Sequence, residues 1–100
     1  MTEKKLLEDT FLDVMEFFEF SRNARREPVK FALSEGVEIY KRRLSKECFS
    51  ESSHPQVKAF FAYALEALTL INGDMVGRKT SDLNFGEVFE RMKSICRDFK

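Results

Sequence analysis

The segment from Pro55 to Asn72 is the most apolar stretch of the chain and carries only two charged residues, Lys58 and Glu66. On a helix, its hydrophobic residues form two seams about 100° apart. The first seam consists of Val57, Phe61, Ala64, Leu68 and Ile71, and the second consists of Phe60, Tyr63, Ala67 and Leu70. A helix with two apolar seams needs packing partners on two sides.

Two amphipathic helices are predicted before this segment, because apolar residues recur there at spacings of three and four. The first runs from about Glu3 to Arg22, and the second begins near Pro28, since proline suits the first turn of a helix. Gly36 lies inside the second helix and lowers its helix propensity by about 1 kcal/mol. The predicted buried stripes are Leu7, Phe11, Val14, Met15 and Phe18 in the first helix and Val29, Leu33, Val37, Tyr40 and Leu44 in the second.

The apolar segment is the third predicted helix, which begins at Pro55 and ends at Gly73 as its C-terminal cap. A fourth helix is predicted after Asn84, because Glu87 three residues later completes a capping box. Its predicted buried stripe is Phe85, Val88, Phe89, Met92, Ile95, Cys96 and Phe99. Short connections favour an all-α fold, an antiparallel up-down-up-down four-helix bundle, with residues 1–100 forming a single helical-bundle domain.

Charge is balanced over the whole chain but not along it. The 17 basic and 17 acidic residues cancel, so no overall field favours a nucleic acid or an anionic membrane. Residues 1–20 contain two basic and six acidic residues, a net of −4, whereas residues 22–46 contain eight basic and three acidic residues, a net of +5. We therefore expect an acidic first helix beside a basic second helix.

The apolar runs and the cysteines indicate where the protein resides. No apolar run approaches the roughly 20 residues of a membrane span, and the N-terminal residues are too acidic for a signal peptide. Cys48 and Cys96 are too few for a disulfide framework, so reduced thiols are expected. We expect no membrane partner and a cytoplasmic location.

The second seam, Phe60, Tyr63, Ala67 and Leu70, has two interpretations. Either the other three helices of the same chain cover it, or it faces a second copy of the chain. A standard interface removes about 800 Å² from each partner, and apolar burial at ~25 cal/mol per Å² supplies useful association energy. Our hypothesis is a homodimer in which these four residues form the self-association site.

Leu12, Glu16 and Phe20 follow one another at four-residue spacing on the acidic face of the first helix. An apolar pair in an acidic field suits a basic partner, so these three are the predicted partner-binding residues. The ordinary alternative is that single exposed hydrophobic residues are common on protein surfaces. Phe31 raises the same question on the second helix.

Basic residues offer a candidate nucleic-acid contact, because phosphate binding needs several converging cations. In the predicted bundle, one end gathers Arg22, Arg25, Arg26, Arg78 and Lys79. A second basic group at residues 41–46 lies near the other end of a helix about 24 Å long, so the two groups do not form one patch. Nucleic acid is therefore the disfavoured partner.

No catalytic, cofactor-binding or metal-binding residues are predicted. Cys48, His54 and Cys96 lack the tightly paired spacing of structural zinc ligands. The lone histidine has no serine or cysteine partner at a recognisable spacing, and the Glu-x-x-His motifs of di-metal bundles are absent.

The sequence thus predicts a non-enzymatic helical protein that acts through protein–protein interaction, as a homodimerising adaptor, regulator or assembly subunit. Two alternatives stay open. One is a nucleic-acid accessory protein that uses the basic bundle end, and the other is a bundle that binds an apolar ligand among its many Phe and Ala residues.

Overall fold

The computed structural model describes residues 3–44, 54–75 and 85–99, which form four α-helices without a strand among them. The helices are α1 (Glu3–Asn23), α2 (Glu27–Leu44), α3 (Pro55–Met75) and α4 (Phe85–Asp98). The predicted all-α, four-helix fold is confirmed.

The ends of α1 and α2 lie within one residue of their predicted positions. Glu27 begins α2, and basic residues fill its last turn, where cations favour the negative end of the helix dipole. The predicted end of α3 is wrong, because the helix continues through Gly73 to Met75. Gly73 is buried and lies within the helix, so it does not cap α3. Asn84, the predicted cap of α4, lies outside the described residues.

Three helix pairs, α1–α2, α1–α4 and α3–α4, run antiparallel, because residue numbers rise along one helix as those of the paired positions fall along the other. The paired positions are Asp13–Tyr40 for α1 and α2, where Phe20 and Val29 also line one cleft, Phe11–Phe89 and Phe18–Phe85 for α1 and α4, and His54–Phe99 and Tyr63–Arg91 for α3 and α4. This pattern is compatible with the predicted up-down-up-down arrangement.

α3 lies at the centre of the fold. It packs against α1, α2 and α4, and α1 also packs against α2 and α4, whereas α2 and α4 share no contact among the described residues. The cross-section is therefore a rhombus whose short diagonal joins α1 to α3. This arrangement leaves both α2 and α4 with two neighbours each, and the outer sides of α1 and α2 form one edge of the molecule.

One hydrophobic core joins the four helices, and its members come mainly from α3. The buried core residues are Leu7, Val14, Val37, Leu44, Val57, Phe60, Phe61, Ala64, Ala67, Leu68, Leu70, Ile71, Val88, Met92 and Phe99. Both seams of α3 supply members, so the two-sided apolar pattern reflects its central position within the chain.

Candidate interaction surface on α1 and α2

Large exposed hydrophobic side chains occur on only two of the four helices, as far as the described residues show. They are Leu12 (59% exposed) and Phe20 (57%) on α1, and Val29 (51%), Phe31 (67%) and Ile39 (55%) on α2. Single exposed hydrophobic residues are ordinary, but five confined to two adjacent helices mark that side of the molecule.

Helical spacing explains how the exposed residues gather. Leu12, Glu16 and Phe20 share one face of α1, and Phe31 and Ile39 lie eight residues apart on α2, so each set spans about two turns. We call these surfaces the outer faces of α1 and α2. Each outer face presents two hydrophobic residues about 12 Å apart along the helix.

A groove runs along the seam between α1 and α2. Its largest part, a cleft of 650 Å³, is lined by Phe20, Asn23, Ala24, Pro28, Val29, Ala32 and Leu33. The next cleft, of 260 Å³, is lined by Asp13, Glu16, Phe17, Phe20 and Tyr40, and a third, of 170 Å³, by Leu6, Asp9, Thr10, Asp13, Tyr40, Arg43 and Leu44. Successive clefts share residues, so the groove is continuous. It changes from apolar at the C-terminal end of α1 to polar at the N-terminal end.

Aromatic packing and a hydrogen bond fix the middle of this groove. The Phe17 and Tyr40 rings lie 5.4 Å apart between centroids, and the Tyr40 hydroxyl donates to Asp13 Oδ2 at 2.9 Å. Gly36 faces the Phe17 ring, and a Cβ at this position would lie 3.8 Å from Phe17 Cε1. Burial raises the pKa of Tyr40 far above its ordinary value of 10.0, and the hydrogen bond and negative charge of Asp13 raise it further. The hydroxyl therefore stays protonated and keeps donating to Asp13.

Charges of opposite sign line the two sides of the groove. The α1 side carries Asp9, Asp13 and Glu16, of which Asp9 pairs with Lys5 at 3.5 Å. The exposed surface of the last turn of α2 carries Arg42 and Arg43. Neither Glu16 nor Arg42 forms an ion pair with another described residue, so both charges are available to a partner.

The predicted self-association site on α3 is wrong for three of its four residues. Phe60 and Ala67 have no exposed surface, and Leu70 is 3% exposed, because α1, α2 and α4 surround α3. Tyr63 is half-buried, and its hydroxyl accepts a hydrogen bond of 3.0 Å from Arg91 Nη1. A second copy cannot contact side chains that the chain itself encloses.

The predicted partner-binding residues Leu12, Glu16 and Phe20 are all exposed, and binding by them remains a prediction. Val29 was expected in the buried stripe of α2 but is half-exposed, because it lies in the first turn, close to where α1 ends. Ile39 was missed. The sequence contains a signal for it: Phe31, Glu35 and Ile39 follow one another at four-residue spacing. Leu12, Glu16 and Phe20 of α1 have the same spacing.

The basic bundle end is only partly described. Arg22 lies over the Phe18 ring, with its guanidinium carbon 5.5 Å from the ring centroid, whereas Arg25 and Arg26 are exposed. Arg78 and Lys79 lie outside the described residues. None of these three arginines lines any of the three clefts described above.

The candidates for metal binding and catalysis lie in ordinary structural surroundings. His54 Nδ1 accepts a hydrogen bond of 3.2 Å from the Gln56 backbone N–H at the start of α3, and its ring packs 4.9 Å from the Phe99 ring. Burial raises the pKa of the half-buried Cys96 thiol, which makes it a poor nucleophile. Within residues 3–44, 54–75 and 85–99, no three His, Cys, Asp or Glu side chains gather as a metal-ligand set.

Comparison with known proteins gives no relative: no protein-family model, curated protein or solved structure matches the chain. In the described part of the chain, no helix has both the length and the apolar character needed to cross a membrane. Function must therefore be inferred from the geometry of this chain.

Proposed function

We propose that the protein is a non-enzymatic interaction module that binds protein through the outer faces of α1 and α2, as an adaptor, regulator or assembly subunit. The observation that carries this proposal is the confinement of Leu12, Phe20, Val29, Phe31 and Ile39 to these two helices. The proposal includes no cofactor, and it keeps the cytoplasmic location predicted from the sequence.

The energetics support a protein partner. Burying a half-exposed large hydrophobic side chain removes apolar surface worth about 25 cal/mol per Å², and aromatic anchors such as Phe20 and Phe31 often dominate an interface. A shallow groove with hydrophobic residues on both sides suits a helix or another broad protein surface better than a small molecule, which needs deep enclosure. Glu16 and Arg42 form no ion pair with another described residue, and their charges would orient a bound partner.

Site-specific photo-crosslinking tests this proposal. A photoreactive phenylalanine analogue replaces Phe31 or Leu12 in separate variants, and replaces Ala59 of α3 or Glu90 of α4 in two control variants, since both control positions are exposed. Each variant is irradiated in an extract of the source cells, and the masses of the adducts are compared.

We expect one discrete protein adduct from Phe31 and Leu12, and none of that mass from Ala59 or Glu90. Equal labelling from all four positions would mean that the α1–α2 side is ordinary surface. Absence of any adduct from Phe31 and Leu12 would also contradict the proposal. Circular dichroism of each variant verifies that the helices are intact.

A further inference from the structure

The middle of the α1–α2 surface carries charges of one sign only. We call residues 12–20 of α1 and residues 31–39 of α2 the central zone, because each stretch begins and ends with an exposed hydrophobic residue. The acidic residues of the central zone are Asp13, Glu16, Glu19, Glu35 and Glu38, and the same stretches contain no basic residue. Since the 17 basic and 17 acidic residues of the whole chain cancel, this excess of acid is local to the surface.

Three of these acidic side chains have no partner within the described parts of the fold. Asp13 accepts the Tyr40 hydrogen bond, and Glu38 accepts one from the Asn72 amide. The remaining three are exposed and make no hydrogen bond or ion pair with a described residue, and they are Glu16, Glu19 and Glu35. Uncompensated carboxylates on one surface create a negative potential, which attracts cationic groups.

Glu16 and Glu35 lie at similar heights on the two sides of the groove. Gly36 faces the Phe17 ring at 3.8 Å, measured from the position of a Cβ. Glu16 precedes Phe17 and Glu35 precedes Gly36, so on these antiparallel helices the two carboxylates lie within about one turn of each other. Glu16 also lines the 260 Å³ cleft, together with Asp13 and three aromatic residues. Carboxylates and aromatic faces both attract cations, so this part of the groove suits a lysine or arginine side chain.

Apolar surface lies on both sides of this acidic centre. Towards the α1–α2 turn is the 650 Å³ cleft, whose lining includes Phe20 and Val29. In the other direction, Leu12 and Ile39 expose more than half of their surface. Leu12 and Phe20 are about 12 Å apart along α1. A partner that covers both apolar regions therefore needs two hydrophobic residues at about this separation, with a basic residue between them.

Basic residues lie beyond both ends of the central zone. Arg25 and Arg26 lie between α1 and α2, and Arg42 and Arg43 lie in the last turn of α2. A partner that is basic throughout its length would be repelled at both ends of the surface. The charge pattern therefore favours a partner whose basic residues are confined to its middle.

We infer that the occupant of the α1–α2 surface is an amphipathic helix of a partner protein, with basic residues in the turn between two hydrophobic residues that lie two turns apart. Hydrophobic residues at this spacing share one face of a helix, which is how helices bind apolar grooves. One hydrophobic residue enters the 650 Å³ cleft, the other covers Leu12 and Ile39, and the basic residues pair with Glu16 and Glu35. This inference rests on the proposed function and names the class of its partner.

Three synthetic peptides test this partner chemistry. Each is an alanine-rich helix of about 18 residues with two leucines two turns apart, and only the two residues in the turn between them differ. These two residues are lysine in the first peptide, glutamine in the second and glutamate in the third. Fluorescence anisotropy measures the affinity of each labelled peptide for the wild-type protein. We expect the lysine peptide to bind about tenfold or more tightly than the glutamine peptide, and high salt to reduce this difference. The glutamate peptide should bind most weakly.

Reversing the charge of the central zone should reverse this preference. Glu16→Lys/Glu35→Lys should bind the glutamate peptide more tightly than the lysine peptide. Glu90→Lys/Asp98→Lys on α4 is the matched control, because it changes the net charge equally at two exposed positions. This control should keep the wild-type order of affinities. Circular dichroism verifies that both double variants retain their helices.

Several outcomes overturn the inference. Equal affinity for the three peptides, or binding of none of them, would exclude this partner chemistry. A reversed preference in the α4 control would show that net charge, and not the central zone, decides binding. An adduct between two copies of this chain in the crosslinking from Phe31 and Leu12 would name a different occupant.

Failure of the proposed function is distinguishable from failure of this inference. If the peptides fail but Phe31 and Leu12 still give a discrete protein adduct, the proposed function stands and the basic helix is wrong. Absence of any adduct from these two positions rejects the proposed function itself.

Discussion

The Tyr40 hydroxyl of α2 donates a 2.9 Å hydrogen bond to Asp13 Oδ2 of α1, and this contact sets the relative height of the two helices. Tyr40 is half-buried and its ring packs on Phe17. Two residues of α1, Phe17 and Asp13, therefore fix the position of the Tyr40 side chain. The same contact keeps Asp13 oriented within the groove. The Tyr40–Asp13 hydrogen bond and the packing of Tyr40 on Phe17 thus help to set the shape of the α1–α2 surface.

Removing that hydroxyl should destabilise the fold modestly. Tyr40→Phe keeps the ring packing but loses the hydrogen bond to Asp13, so we expect the free energy of unfolding in urea to fall by about 0.5–1.5 kcal/mol. Tyr63→Phe is the matched control, because its hydroxyl bonds Arg91 at an exposed position and should matter less. Equal losses from the two variants would show that the α1–α2 link has no special role.

The same residue should make stability depend on pH in the alkaline range. Burial, followed by the hydrogen bond and charge of Asp13, raises the pKa of Tyr40 in the folded state above its ordinary value of 10.0. Its contribution is therefore complete below pH 10 and is lost as the pH rises further, because the unfolded state ionises first. Wild type should lose more stability above pH 10 than Tyr40→Phe. Both proteins retain Cys96, whose raised pKa acts with the same sign, so the difference between them isolates Tyr40.

Two leucine-to-alanine variants compare the loss of stability at a core position with that at a surface position. Leu70 is buried between helices and Leu12 is exposed on α1. Leu70→Ala should lower the free energy of unfolding by about 2–5 kcal/mol, whereas Leu12→Ala should change it by less than about 0.5 kcal/mol. Urea unfolding of both variants, at a concentration where the wild type is monomeric, measures the contrast. A small effect at Leu70 would restore the idea that its seam faces outwards.

The helices were predictable from sequence because their signals are local. Proline at the start of α3 and four-residue apolar spacing in α1 depend only on neighbouring residues, and the structure reproduces both. The predicted end of α3 was wrong, because a glycine near the end of an apolar stretch is typical of a cap, whereas Gly73 is buried within the helix. Burial by other helices overrides that local preference.

The candidate surface was harder to predict, because it depends on which helices touch. Two apolar seams on α3 show that it needs two sets of neighbours, but they do not tell whether those neighbours belong to the same chain. The lack of contact between α2 and α4 among the described residues places α3 at the centre and encloses Phe60 and Leu70. Phe31 and Ile39 lie on the part of α2 that its two neighbours, α1 and α3, do not cover. Both the burial on α3 and the exposure on α2 depend on how the helices pack. The spacing of apolar residues along the sequence does not specify that packing.

Replacing Gly36 by alanine should stabilise the protein. A Cβ atom at this position would lie 3.8 Å from Phe17 Cε1, which is ordinary van der Waals contact. The substitution lowers the entropy of the unfolded chain without a clash, so we expect a gain of about 0.5–1 kcal/mol and a higher melting temperature. Gly86→Ala, in the first turn of α4, is the control and should gain less because helix ends fray. A loss of stability for Gly36→Ala would mean that α1 and α2 approach more closely than this distance indicates.

A polar link between α2 and α3 should show energetic coupling. The Ser34 hydroxyl donates to Asn72 Oδ1, and Asn72 Nδ2 donates to Glu38 Oε1 at 2.6 Å. Asn72 is half-buried, so its removal leaves two partly desolvated groups without their partner. We expect Asn72→Ala to lower the free energy of unfolding by about 1–3 kcal/mol.

A double-mutant cycle with Ser34→Ala tests whether this link acts as a unit. Once Asn72 is gone, Ser34 has lost its acceptor, so the second substitution should cost less than it does in the wild type. The expected coupling is about 0.5–1.5 kcal/mol. Thr69→Ala serves as the control in the cycle, since the Thr69 hydroxyl bonds only the Leu65 carbonyl of its own helix among the described residues and should be additive with Ser34→Ala. Additivity of Ser34→Ala and Asn72→Ala as well would mean that the two side chains do not form this hydrogen bond in solution.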